Sequence, residues 1–149
     1  MRLVDELRVT SFDSSTRKAI LNILVTADRV SFKINAALKP VGLSKEQFNV
    51  LRILRGQHPN PCPLQTISER MVSKSSNASR LVDKLLKRGL VARGVCDTNR
   101  RKVDILITAE GLDVLERADA AMQSYAFEYG ELQEEEADQL NRLLDTLRG

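Results

Sequence analysis

Gln65-Thr66-Ile67-Ser68-Glu69-Arg70-Met71-Val72-Ser73-Lys74-Ser75-Ser76-Asn77-Ala78-Ser79-Arg80-Leu81-Val82-Asp83-Lys84-Leu85-Leu86-Lys87-Arg88-Gly89 holds two helical periods separated by a tight turn. Ile67 and Met71 stand one helical turn apart and form the inward face of a short helix, about 65–71. Val72-Ser73 turns the chain. A second helix follows, with Ser73 as its expected N-cap and Ser76 in its first turn. Ala78, Leu81, Val82, Leu85 and Leu86 make its inward stripe. Gly89 suits the C-terminal cap, and Lys87 and Arg88 suit the negative end of the dipole.

Beyond Gly89 the period changes. Leu90-Val91-Ala92-Arg93 reads as a strand, 97–101 is turn-rich and charged, and Val103 to Thr108 is β-branched and apolar. The order is therefore helix, tight turn, helix, hairpin: a helix-turn-helix followed by a β-wing.

Working outward, a long helix is expected over Ser15 to Lys39. Ile20, Leu24, Ala27, Ile34 and Leu38 recur at helical spacing, with Ile23, Val30 and Ala37 alongside, and Pro40 and Gly42 end it. At ~1.5 Å per residue it would reach roughly 37 Å, too long for one small lobe to cover. Ser44 and Gln47 form a capping box for the next helix, whose apolar face is Phe48, Leu51, Ile53 and Leu54. Thr108 caps a fifth helix, 109–129, lined by Leu112, Leu115, Ala118, Met122, Tyr125 and Tyr129. A last helix, 134–147, carries Ala137, Leu140, Leu143, Leu144 and Leu147, and Glu134-Glu135-Glu136 complement its dipole.

The expected fold is mainly α with a small β-hairpin wing, in a single domain over 1–149. Residues 43–108 form the winged helix-turn-helix lobe. Residues 13–40 and 109–149 supply helices whose apolar stripes exceed what that lobe can bury, so they are expected to form the dimerisation region of a homodimer.

The 149 residues carry a formal charge of +3. That small sum hides a division. Residues 1–63 hold 10 Lys/Arg and 5 Asp/Glu, residues 64–108 hold 10 and 4, and residues 109–149 hold 3 and 11. A basic working surface and an acidic region elsewhere follow. In the first part, Arg52 and Arg55 are the cations placed to reach a DNA backbone.

The scarce residues exclude other chemistry. One histidine, His58, and two cysteines, Cys62 and Cys96, cannot build a usual structural zinc site in one chain, so no metal and no cofactor are expected. His58 and Cys62 lie in a loop with three prolines in five residues, Pro59, Pro61 and Pro63, and lack a third orienting group for nucleophilic catalysis. No phosphate-cradling glycine loop, nucleophile elbow or HExxH is present, so no enzyme is expected. No apolar run reaches membrane-spanning length, no signal-peptide core precedes the first helix, and two lone thiols suit a reducing cytoplasm.

The outward faces point to nucleic acid. On the second helix of the quoted stretch, Lys74, Ser75, Ser76, Asn77, Ser79, Arg80 and Lys84 are left over by the core stripe. Small polar residues let a helix approach base edges in the major groove. The Asn amide and the hydroxyls donate and accept there, and Arg80 and Lys84 reach phosphate or guanine. At the wing tip stand Asn99, Arg100, Arg101 and Lys102, three adjacent cations that repel one another unless an anion is present. Arginine is favoured in a narrow minor groove. Asp83 is expected to pair locally along its helix.

Residues 44–112 resemble the MarR family of transcriptional regulators. The matching stretches are Ile67-Ser68-Glu69-Arg70-Met71, Ser79-Arg80-Leu81-Val82-Asp83-Lys84-Leu85, Lys87-Arg88-Gly89-Leu90-Val91-Ala92-Arg93, Asn99-Arg100-Arg101-Lys102 and Ile107-Thr108-Ala109-Glu110-Gly111. The resemblance implies a homodimer that usually represses promoters with palindromic operators in double-stranded DNA. It also implies a response to a small aromatic or anionic effector. The helix after the turn would be the recognition helix, and Arg101 the minor-groove residue. The family commonly has Asp-x-Arg at the wing tip. Asn99 stands in place of that Asp, which leaves Arg101 less firmly held. Two other readings fit parts of the sequence: a winged-helix module that meets an acidic protein, and a thiol-based sensor using Cys62 or Cys96.

Overall fold

A computed structural model describes residues 2–94, 104–126 and 132–149. The wing tip, Cys96 and the end expected for the fifth helix lie outside them.

The chain runs α1 (Leu3–Glu6), α2 (Ser15–Leu38), a 3₁₀ turn (Lys39–Val41), α3 (Lys45–Arg55), β1 (Cys62–Pro63), α4 (Leu64–Arg70), α5 (Ala78–Lys87), β2 (Val91–Gly94), β3 (Asp104–Ile107), α6 (Ala109–Ala126) and α7 (Glu134–Arg148). The long helices stand where the periodicity places them. No helix among the described residues is long and apolar enough to cross a membrane.

Local chemistry explains the boundaries. The Ser14 hydroxyl accepts the Arg17 amide at the start of α2. Ser44 and Gln47 exchange two hydrogen bonds, 3.1 and 3.0 Å, closing the capping box that opens α3. After α5 the chain enters the left-handed region at Gly89, with φ 69°. The Leu90 amide then donates to the Leu85 carbonyl and the Gly89 amide to that of Leu86, the two bonds of a Schellman cap. Thr108 links three elements. Its hydroxyl donates to the Gly89 carbonyl at 2.7 Å and accepts the Gly111 amide at 3.0 Å. The join is so close that a Cβ on Gly111 would sit 2.0 Å from the Leu90 carbonyl oxygen. Only glycine fits there.

The start of α5 corrects the sequence reading. Ser73 does not cap it. The helix begins at Ala78, and Asn77 is its N-cap, its side-chain oxygen accepting the Arg80 amide at 3.1 Å. Residues Val72 to Ser76 form the turn instead, closed by a Ser76 amide bond to the Ser73 carbonyl. Three serines and a lysine in a row offer local hydrogen bonds that compete with helix, and the asparagine outcompetes them as a cap.

The wing carries a third strand. β1 pairs antiparallel with β3, Cys62 opposite Ile105, and β3 pairs with β2, giving the order β1-β3-β2. The proline-rich loop therefore ends in sheet rather than in solvent, and Cys62 is fully buried. Proline is tolerated because β1 is an edge strand.

One core joins the lobe to the flanking helices. Leu38 of α2, Leu51 and Leu54 of α3, Ile67, Leu85, Ile105 and Leu115 of α6 are all buried in it. Outside it, α1 places Leu3 against the fold, and Glu6 pairs with Arg29 of α2 at 2.8 Å. Much apolar surface stays uncovered. Phe32 is 75% exposed and Leu24 60% on α2, while α7 buries no residue and leaves Leu143 62% exposed.

Candidate nucleic-acid interface

The helical period of α5 separates two faces. Ala78, Val82 and Leu85 are buried and Leu81 is half-buried against the core. Asn77, Ser79, Arg80 and Lys84 are exposed on the other side. Arg80 and Lys84, four residues apart, share one flank of that side. Burial on one side thus fixes which side is offered outward.

The turn supplies the rest of the face. Lys74 and Ser75 are exposed, and Ser76 is half-buried. The Lys74 ammonium donates to the Glu69 carbonyl at the end of α4, which anchors the lysine stem to the preceding helix. The hydroxyls of Ser73 and Ser75 lie 3.2 Å apart. Asn77 has a structural duty as well, since its oxygen is engaged in capping α5. Its amide nitrogen is the end left to donate outward. Asn99, Arg100, Arg101 and Lys102, the wing-tip part of the expected site, lie outside the described residues.

Several charges have partners that sequence reasoning did not assign. Asp83 faces Arg93 of β2 at 3.6 Å instead of pairing within α5. Arg88 donates to the Gly42 carbonyl at 2.6 Å, tying α5 to the segment before α3. Arg55 meets Asp119 of α6 at 2.5 Å, and Arg52 lies over the Phe48 ring, 5.7 Å from its centroid. Arg55 therefore turns toward α6, not outward toward a backbone.

A cleft of about 410 Å³ opens behind this face, between α2, α3, the Met71–Ser73 segment and α6. Val30, Ile34, Phe48, Met71 and Met122 supply apolar walls. Lys45 and Arg52 supply cations, with Glu46 beside Lys45 at 3.8 Å. The Lys45 ammonium donates to the Ser31 hydroxyl at 2.8 Å. The sequence gave no signal for the cleft, because its walls come from four separated segments. The one cue was Asn49, an amide beside the apolar stripe of α3.

Cys62 is poorly placed for thiol chemistry. Burial pushes its thiol above the ordinary value, with Arg70 opposing and Asp104 adding to the rise. A protonated, buried thiol is a poor nucleophile.

Comparison with known proteins agrees with this geometry. The profile of the MarR family matches residues 43–103. The chain is 33% identical to a MarR transcription factor from Planctomyces limnophilus, whose crystal structure it matches over 91% of its own length and 99% of that chain, with a TM-score of 0.68. It is 34% identical over 101 residues, 64% of this chain, to the HTH-type transcriptional regulator PecS of Dickeya dadantii (strain 3937). The chain spans 60% of PecS and about half the length of the other curated relatives it matches, one of which is named as a transcriptional repressor. A third likeness, at 21% identity and a TM-score of 0.79, covers 91% of this chain and 80% of an organohalide-sensing transcriptional regulator in its 2,4-dichlorophenol-bound form.

Proposed function

The chain belongs to the MarR family of DNA-binding transcriptional regulators, and on that premise we propose that it is a homodimeric repressor released from a palindromic operator by a small effector. Members of this family are regulators, not enzymes.

One observation carries the reading. The buried stripe of α5 turns Asn77, Ser79, Arg80 and Lys84 outward together with the Lys74–Ser76 turn. Such a face enters a major groove with small polar groups near base edges and cations near phosphate. We assign Lys74, Ser75, Ser76, Asn77, Ser79, Arg80 and Lys84 to the major-groove contact. Asn99, Arg100, Arg101 and Lys102 go to the wing contact with the adjacent minor groove, Arg101 foremost.

The uncovered apolar side chains of α2 and α7 support the dimer. A second copy covers Leu24, Phe32, Leu140, Leu143 and Leu147 and places two copies of α5 about one DNA turn, ~34 Å, apart. The operator then shares the two-fold symmetry of the protein. The acidic C-terminal part stays away from the phosphates. The absence of an export pattern in the sequence and the regulatory family together support a cytoplasmic site of action.

The cleft supports the effector. Its apolar walls and two cations suit a small, flat molecule with a phenolate or carboxylate group. Such a ligand bridges α2 and α6 on one side and the start of the α4–α5 turn on the other. The bound phenol of the organohalide-sensing neighbour belongs to the same chemical class.

Selection of bound sequences from random duplex DNA tests the whole reading. Enrichment of an inverted repeat with half-sites one helical turn apart is expected. Enrichment of no sequence, or of an unrepeated motif, overturns it.

A further inference from the structure

Asn49 lies on α3, away from the candidate DNA face, yet its side chain reaches that face. Its Oδ1 accepts the backbone amide of Val72 at 2.9 Å. Val72 is the first residue past Met71, which closes α4 and is buried. From Val72 the chain runs through Ser73, Lys74, Ser75 and Ser76 to Asn77, the cap of α5. These turn residues are exposed or half-buried, and Val72 itself is 86% exposed. Apolar packing therefore does little to fix them. Helix α5 is anchored by Ala78, Val82 and Leu85, whereas the turn is held by hydrogen bonds.

Asn49 also belongs to the cleft. Asn49, Met71, Val72 and Ser73 form one of its walls, so both partners of this hydrogen bond face any molecule inside. A phenolate or carboxylate there is an acceptor that competes for the Val72 amide, and its approach displaces the Asn49 amide group.

We infer that Asn49 is a positioning residue for DNA recognition: it holds the turn Val72–Ser76 in reading register, and a molecule in the cleft loosens that turn by taking over its hydrogen bond. The inference rests on the DNA and effector readings above. It adds the residue that couples them. A register set by one hydrogen bond affects discrimination more than affinity. Phosphate contacts tolerate small shifts of the turn, and base-edge contacts do not.

The experiment compares the whole protein with Asn49→Leu, of similar size without an acceptor, and Asn49→Asp, which keeps the acceptor. Each binds a selected palindromic duplex and a scrambled one, and the ratio of the two affinities is the readout. Asn49→Leu is expected to lower the ratio about tenfold, the upper range for one lost hydrogen bond. Its scrambled-duplex affinity should stay within about twofold, because phosphate contacts are retained. Asn49→Asp is expected to keep the ratio even where its added charge weakens both affinities. Hydrogen exchange at the Val72 amide should quicken in the Leu variant and not in the Asp variant. An unchanged ratio in Asn49→Leu, or an equal loss on both duplexes, overturns the assignment.

Benzoate and 2,4-dichlorophenol probe the coupling. Each is expected to lower the ratio of the wild type and to leave the already lowered ratio of Asn49→Leu nearly unmoved. Equal factors in both proteins mean independent effects and overturn the coupling. If neither probe moves the wild type, the effector reading fails, and the unliganded ratio alone decides the role of Asn49. A wild-type ratio near one brings down the DNA reading, and this inference with it.

Discussion

Arg55 Nη1 lies 2.5 Å from Asp119 Oδ2, so a residue of the reading lobe is clasped by the helix that follows the wing, 64 positions later in the chain. The guanidinium is spent on this contact, although its sequence position suggested a backbone phosphate. Both side chains are partly exposed, 41% and 31%, which keeps the pair modest in stability.

Arg55→Ala is therefore expected to cost about 0.2–1 kcal/mol of unfolding free energy. The double variant with Asp119→Ala should cost less than the sum of the singles, since the two share one interaction. The salt dependence of DNA binding should keep its slope. A slope shallower by about 0.9 in Arg55→Ala would show that Arg55 meets a phosphate after all.

Asn77 does two things that can be separated. Asn77→Ala removes the cap of α5 and should cost about 1 kcal/mol of stability along with base preference. Asn77→Ser keeps a capping oxygen and should hold stability near wild type, while relaxing preference at one operator position by about 1–3 kcal/mol. Arg80→Ala and Lys84→Ala should lower affinity for every duplex and flatten the salt slope by about 0.9 each where a phosphate contact is lost. Thermal melts beside binding isotherms read both effects. Equal base preference in Asn77→Ser and wild type would remove Asn77 from the readout.

Cys62 sets an alkaline limit. Burial holds its folded value above the ordinary 9.0, so the folded chain keeps a proton that the unfolded chain releases. The unfolded state then binds fewer protons, and stability falls with rising pH. This share of stability is intact below about pH 9 and is lost as pH rises through the folded value. The melting temperature should drop faster with pH for the wild type than for Cys62→Ala above pH 9. Parallel curves would mean that the thiol does not contribute.

How much of this was legible in the sequence depends on the range of the forces involved. Helices α2 and α3 and the capping box at Ser44 and Gln47 follow from local spacing, and the periodicity located them. So did the buried stripe of α5, because apolar spacing reports directly which side faces the core. The start of α5 was misplaced by five residues. Ser73, Ser76 and Asn77 are all competent caps, and the choice depends on Met71 being pinned in the core and on the Asn49 bond to Val72. β1 was hidden because two residues carry no period. The partners of Arg55 and Asp83 were hidden too, since each lies on another element. The cleft needs α2, α3 and α6 in place before it exists.

Leu143 puts the dimer to the test. It is 62% exposed in the single chain, with Leu140 and Leu147 on the same stripe of α7 at helical spacing. A charge there costs an isolated chain little, because the side chain already faces water. At the centre of a covered interface the same charge is desolvated without a partner. Leu143→Glu should therefore fold with near-native helix content but sediment at the chain mass of 16.7 kDa, where the wild type sediments at about twice that. Half the phosphate contacts are lost with the partner, so the salt slope should fall by about half. The operator, needing two recognition helices at fixed spacing, should lose far more affinity than a scrambled duplex. A wild type that sediments at 16.7 kDa refutes the dimer outright. A Leu143→Glu protein that stays dimeric moves the interface off α7 and leaves α2, with Leu24 and Phe32, as the surface that a second copy covers.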